Sequence, residues 1–430
     1  MTAKYVYLEN YGCVSNKFDF EIIRAYFDVS GYMIVDTPGL ADVILVNTCG
    51  VKKATEDKIL GRLRFLRDFH KPLVVAGCLS KINLSAIEKA VPDYAAVLDP
   101  YSVDKIPLVI RCVECGERNK LFFGEEPRVK LGLPKARSGE VLEIVQVCEG
   151  CMGSCAFCCT RFARGKLFSY PSEVIVNKIE GDVGKGVREF WITAQDVGAY
   201  GLDIENNIAG LLKEICAVEG KFFVRVGMMN PHHVLNMLDQ LIDVYKEDKI
   251  FKFLHLPVQS GNDVILKNMN RPYSVDDFIR IVCSFREAIP DITIATDIIC
   301  GFPGESESAF EDSSALVRKV KPDIVNISKF FPRPGTSAMK MTQLPNEIIK
   351  MRSGRMAELC RIMSLKRNSG WLDWVGDIMI DEKGKNESWV GRNFAYKTVV
   401  IKDKKNLIGE TLKVRIKKAF PTYLEGERII

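Results

Sequence analysis

The chain has 430 residues, a formal charge of +5, 47% hydrophobic residues and 27% charged residues, which suits two or three cored domains of ordinary globular composition. No unbroken apolar stretch of membrane length occurs, and Met1 to Phe20 already carries Glu, Lys and Asp, so a signal peptide and a membrane partner are not expected and a soluble cytoplasmic protein is the default. Fourteen cysteines point to metal ligation or redox chemistry rather than disulfides, and the modest positive charge permits a nucleic-acid partner without requiring one.

Residues 1–99 read as alternating strands and helices. Lys4–Glu9, Asp42–Val46 and Leu73–Ala76 are short apolar or alternating runs, with amphipathic stretches at Lys17–Val29 and Thr55–Arg67 between them. This rhythm predicts a small α/β domain with a mostly parallel sheet. One cysteine follows each strand: Cys13 in YGC, Cys49 in NTC and Cys78 in AGC. Ligands of open α/β sheets bind beyond the carboxyl ends of the strands, so these three thiols can meet although they are far apart in sequence. Singly, each is a small residue near a turn. Their shared position favours a second metal site.

From Pro100 to Glu140 the periodicity is poor and Pro and Gly recur, which reads as an interdomain connection. It contains Cys112 and Cys115 in RCVECGE, half of a zinc knuckle with no apparent second half. A redox-labile pair, an intermolecular or incomplete metal site, and two inert thiols all remain open. Arg128, Lys130, Lys135 and Arg137 read as a solvated face of this connection, with phosphate contact as the alternative.

The stretch VLEIVQVCEGCMGSCAFCCTRFARGK, Val141 to Lys166, organises the rest. An apolar run that reads as a buried strand leads into Cys151, Cys155 and Cys158, spaced C-x3-C-x2-C. Structural zinc wants four protein ligands, whereas three thiolates suit a [4Fe–4S] cubane with one iron left open. Residues 141–340 then repeat the strand–helix rhythm, with strands expected at Val141–Val147, Glu189–Thr193, Phe222–Val226, Phe251–Leu256, Thr293–Ile299 and Ile324–Phe330. Six βα units predict a partial (β/α)6 barrel, whose active groups sit at the carboxyl ends of the strands. Gln195, Asp196, Asn230, Gln259, Ser260, Gly301 to Glu305 and Arg333 cluster there. The sequence lacks the G-x-G-x-x-G and G-x4-G-K-[ST] nucleotide loops. His255, inside an apolar run, reads as a satisfied core histidine rather than a ligand.

Glu347–Arg367 is expected to be an amphipathic helix packed on the barrel through Ile348, Met351, Leu359, Ile362 and Met363. Residues 371–430 change to short β-branched runs, Asp377–Asp381, Lys397–Lys402 and Thr411–Lys417, with turns at Gly384 and Asn406. A small antiparallel β-barrel follows from these. Lys402, Lys404, Lys405, Lys413, Arg415, Lys417 and Lys418 accompany Trp389, Phe394, Tyr396, Phe420 and Tyr423. The set is either an RNA-binding face or a solvated lysine-rich one.

Together these features resemble the radical S-adenosylmethionine methylthiotransferases, and within them the archaeal and eukaryotic branch acting on N6-threonylcarbamoyladenosine of tRNA. The resemblance rests on the YGC, NTC and AGC cysteines, CMGSCAFCCTRFARG with Phe157 before the last cysteine of the triad, TAQDVGAYGLD, RVGMMNP, HLPVQSGND, TDIICGFPGE and FPRPGTSAM. It implies a methylthiotransferase α/β domain at 1–99, a linker at 100–140, a radical barrel at 141–370 and a TRAM-like RNA-binding barrel at 371–430. It also implies that Cys151, Cys155 and Cys158 hold one [4Fe–4S] cluster, and Cys13, Cys49 and Cys78 an auxiliary one. S-adenosylmethionine would chelate the open iron, meeting Gln195, Asp196, Arg225, Asn230, Gln259, Ser260 and Gly301. An unidentified electron donor would drive formation of a 5′-deoxyadenosyl radical that takes hydrogen from C2 of the adenine, and sulfur would arrive from the auxiliary cluster. The two clusters must then face one cavity. The resemblance assigns no role to Cys112, Cys115, Cys148 or Cys159. Thr160 to Arg164, beside the cluster loop, are candidates for RNA phosphate. The alternatives are methylthiolation of a ribosomal protein side chain or of another modified tRNA adenosine, and an iron–sulfur RNA-binding protein without turnover.

Overall fold

The computed structural model describes residues 4–137 and 139–429; the outermost limits expected at 1 and 430 lie outside the described residues. The chain divides into two compact units. One comprises Met1–Ser138, Ile144–Tyr170 and Phe331–Met339, and the other comprises Gly139–Glu143, Pro171–Phe330 and Lys340–Ile430.

In the first unit, β1 (Lys4–Asn10), β2 (Tyr32–Ile34), β3 (Val43–Thr48), β4 (Leu73–Gly77), β5 (Ala96–Leu98) and β6 (Lys120–Phe122) form one sheet in the order β2-β1-β3-β4-β5-β6. Every neighbouring pair is parallel. All six residues of β3 and all five of β4 are buried, the signature of central strands covered on both faces. Helices Val14–Val29 and Lys53–Arg67 link β1 to β2 and β3 to β4. The strand order reverses between β1 and β3, the place where open sheets of this kind leave a crevice at their carboxyl edge.

Two regular elements of this unit fall within the stretch 100–140 expected as a connection. Ile106–Glu114 is a helix burying Ile106, Val109, Ile110 and Val113, and β6 adds a sixth strand beside β5. The cations also differ. Lys130 is buried and Lys135 half-buried, and both are ion-paired, Lys130 to Asp19 and Glu149, and Lys135 to Glu21 at 3.1 Å. Arg128 matches the expectation better, half-exposed beside Asp104.

The cysteine stretch follows β7 (Leu142–Gln146). It runs through β8 (Cys148–Glu149), a loop, the short helix Thr160–Arg164 and β9 (Phe168–Ser169), with β8 and β9 antiparallel.

In the second unit the strands are β10 (Glu189–Thr193), β11 (Phe223–Val226), β12 (Phe253–His255), β13 (Thr293–Cys300) and β14 (Ile324–Lys329). They pair in parallel, β10 with β11, and β12 with β13 and then β14. A parallel bridge, Val224 to Ile250, and a bond from Met229 N to His255 O (3.0 Å) carry the array across from β11 to β12. With β7 at its first edge this gives the six strands of the expected partial barrel. Helices Ser172–Val183, Ile208–Ala217, Leu238–Tyr245, Val275–Ala288 and Glu307–Val320 alternate with them. Ser274 and Asp277 close a reciprocal capping box at one helix start, and Ser306 caps another.

The long helix Asn346–Ser369 does not bury the expected face. Met351 and Ile362 are exposed, and Ile349, Arg352, Ser353, Met356, Cys360, Ser364 and Asn368 point inward at spacings of one, three and four. The inward face is largely polar because it bonds: Arg352 donates to the Glu305 carboxylate at 2.9 Å.

Residues after this helix form the closed barrel β15 (Val375–Lys383), β16 (Ser388–Arg392), β17 (Thr398–Lys402), β18 (Thr411–Ala419) and β19 (Leu424–Arg428). Its neighbouring strands are antiparallel except β17 and β19, which run parallel. Along β18, Leu412, Val414 and Ile416 fill the interior while Lys413, Arg415 and Lys417 face out, a period of two.

Candidate metal centre and strand-end site

Local backbone constraints place the amino-terminal trio. Gly12 (φ +135°) and Gly77 (φ +96°) occupy conformations that side chains avoid, one residue before Cys13 and Cys78. A methyl group on Gly77 would lie 2.5 Å from Asn47 Oδ1 and would overlap the Thr48 carbonyl, so β3 and β4 can close up only with glycine there. Asn47 donates to Asn10 Oδ1 (2.9 Å) and to the Asn16 carbonyl (2.8 Å), which fixes the end of β1 against β3. Cys13, Cys49 and Cys78 therefore leave adjacent strand ends at the switch of strand order. They interact electrostatically as a group: Cys49 feels Cys78 and Cys13, and Cys78 feels Cys13.

The second trio sits on a loop held by another obligatory glycine. At Gly150 (φ +79°) an added carbon would fall on the Lys166 carbonyl, and Cys151 N bonds the Gly165 carbonyl at 3.3 Å. Cys151 Sγ accepts from Gly153 N at 3.2 Å, and a carbon added to Gly153 would be 3.3 Å from that sulfur and 3.7 Å from Cys155 Sγ. The Cys158 sulfur takes bonds from the Thr160 side chain and from the Thr160 and Arg161 amides. Such donors are what cluster sulfurs use to adjust their potential.

Both trios belong to the first unit, and their surroundings touch. Cys78 and Ile82 form one apolar cluster with Cys159 and Ala163, and Cys159 Sγ is 3.4 Å from the Gly50 carbonyl. Arg333 donates to the same carbonyl at 2.7 Å and is ion-paired with Glu56. The sequence groups Arg333 with the strand-end residues of the barrel; its bonds here are to the loop after β3 and to the helix Lys53–Arg67.

The chemistry of the donor set fits clusters. None of the six cysteines is in a disulfide. Burial pushes Cys49 up to about 12, with Cys78 and Cys13 adding to the rise against a backbone bond. Burial also raises Cys78 and Cys158, opposed at Cys78 by the charge of Arg164 and at Cys158 by its Thr160 and Arg161 bonds. A thiol of this kind is a poor free nucleophile, and it gives up its proton when a metal centre supplies the compensating charge. Among the described residues no three His, Cys, Asp or Glu side chains converge tightly enough for a single ion. A cubane spreads its thiolates wider than one ion does. Cys112 and Cys115 are free thiols at the end of helix Ile106–Glu114, and Cys148 is buried in β8.

Arg164 departs from the expected phosphate-facing role. It is buried, with Nη1 at 2.6 Å from Glu149 Oε1 and Nη2 at 2.6 Å from Asp19 Oδ2, while Arg161 is exposed. Nothing in the sequence marked this ring of charges, because its members are spread from residue 19 to residue 164.

In the second unit the remaining residues lie at or near strand ends. Asp196 is buried and accepts from Gly198 N and Asn230 N, each at 3.1 Å, with His233 Nε2 3.6 Å away. Burial raises its carboxyl while His233 opposes the rise. Asn230 caps the following helix through His232 N (3.2 Å). Ser260 Oγ accepts from Asn262 N at 3.3 Å. Gln259 adopts φ +70°, rare for a residue with a side chain, and Gly301 adopts φ +82° with its amide on Glu305 Oε2 at 2.8 Å. Gln195 follows β10 directly. Arg225, inside β11, lies over the rings of Trp191 (5.3 Å), Phe253 (5.0 Å) and Tyr396 (5.6 Å). His255 is half-buried rather than enclosed, with Nε2 3.1 Å from Asp297 Oδ1, which also accepts from Asn326 at 2.8 Å.

The closed barrel carries a groove whose lining includes Lys385, Lys402, Lys417, Lys418, Arg428 and Tyr423, and the carboxylates Glu387, Glu425 and Glu427. Trp389 and Tyr396 are buried and so leave the expected stacking set, and Phe420 and Tyr423 stack on each other at 4.5 Å.

Three family models match the chain. Residues 145–317 match the model described as Radical SAM superfamily, residues 5–99 an uncharacterized protein family designated UPF0004, and residues 375–429 the TRAM domain. A protein of Pyrococcus horikoshii named probable threonylcarbamoyladenosine tRNA methylthiotransferase is 41% identical over 99% of this chain and 99% of its own. A Danio rerio threonylcarbamoyladenosine tRNA methylthiotransferase is 33% identical over 98% of this chain and 78% of its own. Among solved structures, a radical S-adenosylmethionine methyltransferase of Kitasatospora setae superposes with a TM-score of 0.56 at 14% identity, over 78% of this chain and 77% of that one, a likeness of fold alone. The chain belongs to the threonylcarbamoyladenosine tRNA methylthiotransferase family.

Proposed function

We propose that this protein adds a methylthio group to C2 of N6-threonylcarbamoyladenosine at position 37 of tRNA. Full-length identity to relatives that carry this name supports the substrate, and the matched radical domain supports the chemistry. When bound, two [4Fe–4S] clusters and S-adenosylmethionine supply one-electron chemistry able to break an unactivated C–H bond, together with a place for sulfur.

The residues then have distinct tasks. Cys151, Cys155 and Cys158 hold the cluster with the open iron, while Cys13, Cys49 and Cys78 hold the other. The observation that carries this reading is that both trios belong to one compact unit, with Cys159 and Ala163 of the loop packed on Cys78 and Ile82. Gly12, Gly77 and Gly150 aim the sulfurs by backbone conformation alone. Gln195, Asp196, Arg225, Asn230, Gln259, Ser260 and Gly301 meet the cofactor. Asp196 fixes the Asn230 loop, as its two accepted amide bonds suggest. Lys402, Lys417 and Lys418 hold RNA phosphate along the groove of the last barrel.

We place the functional divisions at 1–99, 100–140, 141–370 and 371–430. The protein works in the cytoplasm and takes electrons from an external donor. Among the described residues no helix is long and apolar enough to cross a membrane. Mass spectrometry of tRNA nucleosides from a strain lacking the gene tests the substrate. The 2-methylthio form should vanish and its unthiolated precursor accumulate; an unchanged nucleoside profile would reject the reading.

A further inference from the structure

Asp19, Lys130, Glu149 and Arg164 form a ring of four charges inside the first unit, each no more than 1% exposed. Arg164 spans the two carboxylates at 2.6 Å each, and Lys130 Nζ lies 3.1 Å from Asp19 Oδ1 and 3.0 Å from Glu149 Oε2 while donating to the Pro100 carbonyl at 2.8 Å. Two cations face two carboxylates, so the ring is neutral. Buried rings of this kind add little stability over apolar packing of equal volume. The two cations differ in one respect. The bonds of Lys130 are to the ring and a carbonyl, whereas Arg164 directly follows Ala163, which packs with Cys78, and its charge lies within electrostatic range of the Cys78 and Cys13 sulfurs. A guanidinium has five donors in a rigid fork, enough to serve both carboxylates.

Arg164 belongs to the helix that follows Cys158, so the loop bearing one trio supplies the buried cation facing the other. We propose that Arg164 is a positioning residue for the cluster held by Cys13, Cys49 and Cys78, holding a buried positive charge beside Cys78 and so setting that cluster's reduction potential. The proposal rests on the ligand assignment given above. Adding one electron from an external reductant makes a thiolate-bound cluster more negative. A fixed cation in a dry setting stabilises the reduced form and raises the potential. Folding of one loop thereby tunes the cluster on the other side of it.

The test uses the full chain carrying Cys151→Ala, Cys155→Ala and Cys158→Ala, reconstituted without oxygen so that only the amino-terminal trio can bind iron. Its potential is read by dye-mediated titration followed by electron paramagnetic resonance, alongside iron and sulfide content. Arg164→Met with Asp19→Asn removes the cation while keeping the ring neutral, and Lys130→Met with Asp19→Asn removes the same charge away from Cys78. The first pair should move the potential to more negative values with iron retained. The second should leave it in place. Arg164→Lys, which keeps charge but loses the fork, should move it less and in the same direction, and it carries the test if the Arg164→Met pair does not fold. Iron bound with equal potentials in all variants would overturn this proposal alone, whereas no iron in the background protein would remove both the ligand assignment and the proposal.

Discussion

Asp323, immediately before β14, is bonded to Lys397 at 2.7 Å across the junction between the half-barrel strands and the last β-barrel, and both side chains are buried. Arg367 adds a bond at 3.0 Å. Burial alone would raise the Asp323 carboxyl, but Lys397 and Arg367 outweigh it and hold it below the ordinary range. Lys397→Met strips one partner from a buried charge, a change that costs about 3–5 kcal/mol. Urea denaturation should show that loss at neutral pH, with part of it restored by adding Asp323→Asn. The Asp323 contribution is present above its unfolded value near pH 4 and disappears as pH falls through the lower folded one, so wild type and variant should converge in acid.

Glu189 behaves in the opposite sense. Its carboxyl accepts from Trp191 Nε1 (2.5 Å) and Tyr396 OH (3.2 Å), and burial first, then the nearby Asp381, push it up to about 7. A raised carboxyl favours the folded state while protonated and loses that contribution as pH rises from its unfolded value through about 7. Glu189→Gln should flatten the stability profile between about pH 5 and 8, relatively gaining on wild type toward the alkaline end; parallel profiles would reject the assignment.

Two glycines separate the clusters experimentally. Gly77→Ala and Gly150→Ala each force a side chain into positive φ, at roughly 1–2 kcal/mol, and each also meets a backbone carbonyl. Gly77→Ala should lower the iron held by the amino-terminal trio, and Gly150→Ala that of the loop trio. Loss of both clusters from either change would show that the sites do not fold separately.

The lysine-rich groove gives a salt-dependent prediction. Lys402→Ala and Lys417→Ala should weaken tRNA binding across sequences, and each should lower the slope of log affinity against log salt by about 1, as one phosphate goes without its cation. Lys417 lies 3.3 Å from Glu427 at the surface, a pair that counts for little beside a phosphate. Unaltered slopes would leave a solvated lysine face.

Much of this architecture was legible because it depends on local pattern. β3 and β4 are apolar for most of their length, and the six cysteines stand just beyond strands or at fixed spacing. Short edge strands escaped: β2 and β6 have three residues each, mostly exposed, too short to stand out as a strand pattern. Helix Ile106–Glu114 was hidden by a proline at its first turn and by the glycines beyond it. The buried polar groups were misread for a different reason. Lys130 reads as solvated and Arg164 as a phosphate contact, and their partners Asp19 and Glu149 become visible only when distant segments meet.

The central claim is that two trios of thiolates each hold a cubane. Iron and sulfide counting on anaerobically reconstituted protein tests it most directly, with wild type compared with Cys13→Ala, Cys49→Ala and Cys78→Ala combined. About eight irons should fall to about four, matching the disappearance of one four-iron cluster. An unchanged count, or about four irons already in wild type, would contradict it.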